Sequence, residues 1–230
     1  MAHPSLTKKQ ASLVNIIALG TIAALALVGI LSSTSLEQSE ADTPMQAAPS
    51  STVGLIDTQR ILAADEAPGD WLAYGRDYGE QRFSPLTQVN KKTIKDLELA
   101  WSFDMYTNRG LEASPIIVDG IMYMTGSWSV VFAVDAKTGE EMWSYDPEVP
   151  GDWARKACCD VVNRGVAVSE GAVFVATLDG YLVALNAENG EVIWRKNTII
   201  DRTRSYTITG APRVANGRVF IGNGGGEYGV

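Results

Sequence analysis

Cys158 and Cys159 are adjacent, and they are the two cysteines of this 230-residue chain. A trans peptide sets neighbouring Cα atoms ~3.8 Å apart, whereas a relaxed disulfide spans ~4.4 to 6.8 Å, so a bond between them closes a strained ring. Distorting the intervening peptide costs about 2.5 to 4 kcal/mol, a poor choice for a mere staple, and the chemistry this suggests is a rigid platform for a ligand. The alternative is a pair of small hydrophobes that adjoin by chance. Arg164 follows five residues after Cys159. Its planar fork suits bidentate binding of a carboxylate, although an exposed surface cation is the usual fate of arginine. Further on, Gly224, Gly225 and Gly226 precede Glu227. Consecutive glycines let backbone amides approach a ligand closely, and the carboxylate after them could bind a hard cation such as Ca²⁺. One carboxylate does not make a six- to eight-ligand site, and such a run is also a common flexible loop.

Other chemistries drop out. The single histidine is His3, which leaves no His-based zinc site, no Ser-His-Asp triad and no C-x-x-C-H haem attachment in these residues. A formal net charge of −8 argues against a nucleic-acid surface and a polybasic membrane patch. The glycine run lacks the Lys-Ser/Thr ending of a phosphate loop.

The elements that must position these residues recur along the chain. Ala133-x-Asp135-x-x-Thr138-Gly139-x-x-x-Trp143 returns 51 residues later as Ala184-x-Asn186-x-x-Asn189-Gly190-x-x-x-Trp194. The turn pair Asp119-Gly120 returns as Glu170-Gly171 and again as Asn216-Gly217. A period near 50 with four β-rich runs per copy predicts an all-β fold, a β-propeller of four-stranded blades, of which about three begin here. The expected strands are 116–118, 121–125, 130–135 and 141–145 in the first copy, and 166–169, 172–177, 181–186 and 192–196 in the second. Trp143 and Trp194 share one repeat position and are expected to pack between blades, and Trp101 to close an earlier strand in the same way. Residues 90–97 suggest a short helix. Between Tyr145 and Val166 the repeat is broken by an insert, Pro147 to Arg164, which carries the cysteine pair.

Lys8 and Lys9 precede an apolar stretch from Ile16 to Leu31, the pattern of an export segment. Its length lies between a signal-peptide core and a spanning helix, so residues 1–35 read as a signal peptide or a retained membrane anchor, and the location as periplasmic. Residues 36–68 read as a flexible linker and 69–230 as the propeller, with the chain an N-terminal part of a longer protein.

The run Ala157-Cys158-Cys159-Asp160-Val161-Val162-Asn163-Arg164-Gly165, with Thr207-Ile208-Thr209-Gly210-Ala211-Pro212-Arg213 and the stretch Gly222 to Val230, resembles the pyrroloquinoline-quinone (PQQ) alcohol dehydrogenases. Asn108 to Pro115 agrees as well, and Arg82 to Leu86 with Leu99 to Phe103 points to the quinohaemoprotein branch. The resemblance implies an eight-bladed propeller with the quinone and a calcium ion on its axis. It implies that Cys158 and Cys159 form a disulfide stacked on the quinone, that Glu112, Arg164 and Thr209 contact its polar atoms, that Gly224, Gly225 and Gly226 line it, and that Glu227 ligates calcium. Gly226 stands where the family commonly has alanine.

The implied reaction is oxidation of a primary alcohol to an aldehyde, with electrons passed to a cytochrome c or a membrane quinone, through haem c where a further domain carries it. The aspartate base, the asparagine calcium ligand and the tryptophan on the opposite quinone face are expected beyond Val230. The rival readings are a non-catalytic periplasmic propeller that acts as an assembly scaffold, which shares the repeats but has no use for the cysteine pair, and a PQQ sugar dehydrogenase.

Overall fold

The computed structural model describes residues 52–224. Short Ile- and Val-rich runs separated by two-residue turns form two four-stranded antiparallel sheets. The first contains β1 (Ile116–Val118), β2 (Ile121–Thr125), β3 (Val131–Asp135) and β4 (Glu141–Tyr145), in that spatial order. The second contains β5 (Ala167–Ser169), β6 (Ala172–Ala176), β7 (Tyr181–Asn186) and β8 (Val192–Asn197), again in chain order. A third hairpin pairs β9 (Arg213–Ala215) with β10 (Arg218–Phe220). Each sheet opens on a turn with both residues left-handed: Asp119 and Gly120 at φ 54° and 78°, Glu170 and Gly171 at 50° and 79°, Asn216 and Gly217 at 50° and 68°. That geometry is the tight hairpin turn whose twist matches the strands it joins. Even the irregularity repeats, since the register shifts at Ala133/Val134 and at Ala184/Leu185.

The core lies between the two sheets and beneath their first strands, with Ile116, Val118, Tyr123, Val131, Val173, Val183 and Leu185 fully buried. Trp143 lies across the second sheet: its ring covers Gly190, and its Nε1 donates to the Ala187 carbonyl at 3.1 Å. Trp101 makes the same contact one unit earlier, over Gly139 and with its Nε1 donating to Ala136 O at 3.3 Å. The expected docking role of Trp101 therefore holds, but no strand runs through residues 99–103. The helix expected over 90–97 is reduced to one 3-10 turn, Ile94–Asp96. The expected run has no buried residue to anchor it, so little packing supports a helix there.

The expected linker ends too late. Residues 53–68 pack on the sheets: Ile56, Ile61 and Ala64 are buried in the core, and α1 (Thr58–Leu62) is capped by the Asp57 carboxylate, which accepts from Arg60 N at 2.7 Å. Arg60 pairs with both Asp70 and Asp119 at 3.0 and 2.8 Å, which ties this segment to the first hairpin turn. A reading by average composition misses which apolar residues are buried, and burial of Ile56, Ile61 and Ala64 is what orders the segment. Trp71 then bridges Ile117 and covers the free edge of β1. No helix of the described residues is long and apolar enough to cross a membrane, and the expected export segment lies outside them.

Candidate cofactor site

The insert between β4 and β5 is held at both ends and exposed in the middle. Its first half forms a 3-10 turn, Gly151–Lys156, with Trp153 buried. Lys156 lies over the Trp153 ring at 4.0 Å and donates to Arg202 O at 2.7 Å. Arg202 in turn pairs with the buried Asp179 of the second sheet at 3.3 Å. The second half is anchored by Val161 and Val162, both buried, and by Asn163, which is 1 % exposed. Asn163 uses its whole amide: Oδ1 accepts from Thr125 Oγ1 at 3.0 Å and from Gly165 N at 3.0 Å, while Nδ2 donates to Ser129 Oγ at 3.1 Å and Ala176 O at 2.8 Å. One side chain thereby ties β2, the turn after it, the end of β6 and the insert together. The Cys158-Cys159-Asp160 triplet between these anchors is exposed, and the two sulfurs are joined.

Arg164 leaves this anchor half-buried and gathers two of the other expected residues. Its Nη2 donates to Glu112 Oε2 at 2.9 Å and its Nη1 to Thr209 Oγ1 at 2.6 Å. The backbone fixes the same trio, with Arg164 N donating to Thr209 O at 2.9 Å and Ser114 N to Arg164 O at 3.2 Å. Gly165 adopts φ 123°, and a Cβ there would stand 2.9 Å from Ser114 O, so only glycine allows the two chains this close. Gly224 joins through a bridge to Thr207, two residues before Thr209, with Gly224 N donating to Thr207 O at 2.7 Å. Gly225, Gly226 and Glu227 lie outside the described residues. Among the described residues no group of three or more His, Cys, Asp or Glu could hold a metal ion.

Three features escaped the sequence reading. Asn163 enters the sequence reading only within its motif, because its partners Thr125, Ser129 and Ala176 lie far from it along the chain. Arg109 pairs with Asp160, the residue after Cys159, at 2.6 Å. Trp128 and Ser129 are both left-handed at φ 63°, and Trp128 N donates to Val161 O at 2.8 Å, a turn whose two left-handed positions are not glycine. Arg109 and Trp128 also share the wall of an open cleft of about 930 Å³ with Tyr106, Phe132, Asp146 and Glu148.

Arginine presents five donors, of which Glu112 and Thr209 take one each. Glu112 and Thr209 hold the guanidinium in one orientation, and the remaining donors suit an anionic oxygen of a ligand. A carboxylate fits this donor set, and the exposed sulfur pair lies five and six residues before Arg164 in the same insert.

The family model described as the β-propeller domain of PQQ glucose/ethanol/alcohol dehydrogenases matches residues 71–226. The chain belongs to this family. Within the PQQ dehydrogenase propellers, it is 52 % identical over 177 residues to the dehydrogenase subunit of a quinone alcohol dehydrogenase from Komagataeibacter europaeus, covering 75 % of this chain and 24 % of that protein. It is 56 % identical over 164 residues to a 1-butanol dehydrogenase (cytochrome c) from Thauera butanivorans, covering 71 % of this chain and 24 % of the relative. Among solved structures, the quinohemoprotein alcohol dehydrogenase ADHIIG of Pseudomonas putida superposes with a TM-score of 0.75 at 54 % identity, over 77 % of this chain and 26 % of that one. A europium-containing methanol dehydrogenase superposes with a TM-score of 0.70 at 38 % identity, over 75 % of this chain and 30 % of that one. The chain thus spans about a quarter of the length of these curated relatives. The propeller reading of the 51-residue repeat stands as the fold.

Proposed function

We propose that the chain supplies the polar clamp and the floor of the quinone site in a PQQ-dependent dehydrogenase that oxidises primary alcohols to aldehydes. The observation that carries this is the Arg164 cluster, in which Glu112 and Thr209 orient one guanidinium from segments leading into three successive sheets. Family membership and relatives named as alcohol dehydrogenases support the activity. When bound, PQQ supplies a two-electron acceptor for alcohol oxidation.

The chain's own residues hold and orient that acceptor. Arg164 and Thr209 engage its carboxylate edge, Glu112 keeps the Arg164 fork from swinging away, and Gly224 with Gly225 and Gly226 brings backbone close to it. Cys158 and Cys159, as an oxidised pair, present a stiff flat surface for the ring system and exclude water from that face. Glu227 contributes a calcium ligand within an eight-bladed propeller completed by the intact protein. That protein works in the periplasm, released or tethered by residues 1–35, and passes electrons to cytochrome c or a membrane quinone, by way of haem c where a further domain carries it.

Titration of the intact apo protein with PQQ at fixed calcium tests the clamp. Replacing Arg164 by Ala removes a charge-assisted contact and should weaken quinone binding about 10- to 100-fold, with Arg164→Lys intermediate, since a point charge replaces a fork. Unchanged binding in Arg164→Ala would leave the chain as a propeller scaffold.

A further inference from the structure

We propose that Arg109 is a positioning residue for the quinone floor: it neutralises the Asp160 carboxylate that adjoins the Cys158–Cys159 pair, so that an anionic cofactor can settle there. This rests on the floor reading given under Proposed function. Asp160 follows Cys159 directly and is left-handed at φ 71°, a conformation that aspartate tolerates better than most residues. Its carboxylate meets the Arg109 guanidinium, Nη2 to Oδ1, at 2.6 Å. Among the described residues no other cation pairs with Asp160. Arg109 itself is held from behind: its backbone N donates to Thr107 Oγ1 at 3.1 Å, Thr107 Oγ1 donates to Ser127 Oγ at 3.2 Å, and Ser127 Oγ donates to Gly110 O at 3.3 Å. The next residue, Trp128, holds Val161 on the far side of Asp160. Arg109 is therefore presented to the loop by a braced turn, and the loop offers it a carboxylate at the end nearest the sulfurs.

The physical reason for the pairing is charge. PQQ is a carboxylated, anionic molecule, and a bare carboxylate one residue from its platform repels it. Both partners are roughly 40 % exposed, and pairs of that kind contribute little to folding, so variants at this position should remain folded.

Quinone titration of the intact apo protein at fixed calcium and low salt is the test. Arg109→Ala should bind PQQ about three- to tenfold more weakly, with an unchanged thermal midpoint, and the deficit should shrink in high salt. Arg109→Lys should stay near wild type. The deciding variant is Arg109→Ala with Asp160→Asn, which should regain most of the lost affinity because the unpaired charge is gone. A purely structural tie predicts that this double variant is no better than Arg109→Ala, and that result overturns the proposal, as does wild-type binding by Arg109→Ala. Cys158→Ser with Cys159→Ser, measured alongside, separates the two ideas. Weakened binding there with normal binding in Arg109→Ala removes only the Arg109 role, whereas normal binding there removes the floor reading and this proposal with it.

Discussion

Asn163 shows how one buried amide anchors the backbone of a charged neighbour. Its four hydrogen bonds reach two sheets and the insert, and Arg164 is the next residue, so Asn163 fixes the backbone from which the Arg164 side chain leaves. Asn163→Ala strands Thr125, Ser129 and Ala176 partners in a dry site. It should cost about 2 to 4 kcal/mol, read as a lower midpoint in chemical denaturation of the intact protein. Asn163→Asp should be worse, because it removes two donors and buries a charge. Glu112, Arg164 and Thr209 were legible as a set because the motifs that carry them resemble a family, and the structure brings all three within contact. Arg109 and Asn163 were not, since their importance lies in partners far away in sequence.

Among the elements, the turn between the third and fourth strand of each sheet was written twice with different chemistry. In the first sheet Asp135 accepts from Lys137 N and Thr138 N, each at 2.8 Å. The N–H of Thr138, followed by that of Lys137, holds the Asp135 carboxyl below its ordinary value. A carboxyl lowered in the folded state adds stability above its unfolded value, and that contribution is lost as pH falls through the lowered one, so the first turn weakens below about pH 4. In the second sheet Asn186 occupies the same place, accepts from Glu188 N at 2.8 Å and does not titrate. Asp135→Asn should therefore lower the acid-unfolding midpoint slightly without loss at neutral pH, as followed by circular dichroism across an acid titration. Repeat spacing and turn residues revealed these strands to within one or two residues, because a Gly-containing hairpin turn and alternating Val and Ile constrain the backbone locally. The 3-10 turn at Ile94–Asp96 and the packed segment 53–68 were misjudged, because tertiary burial rather than local preference decides both.

Across the whole molecule, stability passes from sheet to sheet through the tryptophans. Trp143 covers Gly190, where a Cβ would stand 2.6 Å from the ring at a backbone φ of 75°. Gly190→Ala should therefore cost about 1 to 3 kcal/mol by overpacking, plus the strain of a left-handed alanine, and should lower the thermal midpoint of the intact protein. Gly139→Ala under Trp101 should do the same, since the two contacts are copies. By itself the amino-acid sequence determined the repeat, the strand pattern and the propeller class, because periodicity and turn chemistry are local quantities. Only the tertiary structure decided that Arg164 is clamped between Glu112 and Thr209, that Arg109 faces Asp160, and that residues 53–68 belong to the core. Each of these joins residues brought together by burial of apolar surface, a force that acts through space and leaves no fixed spacing in the chain.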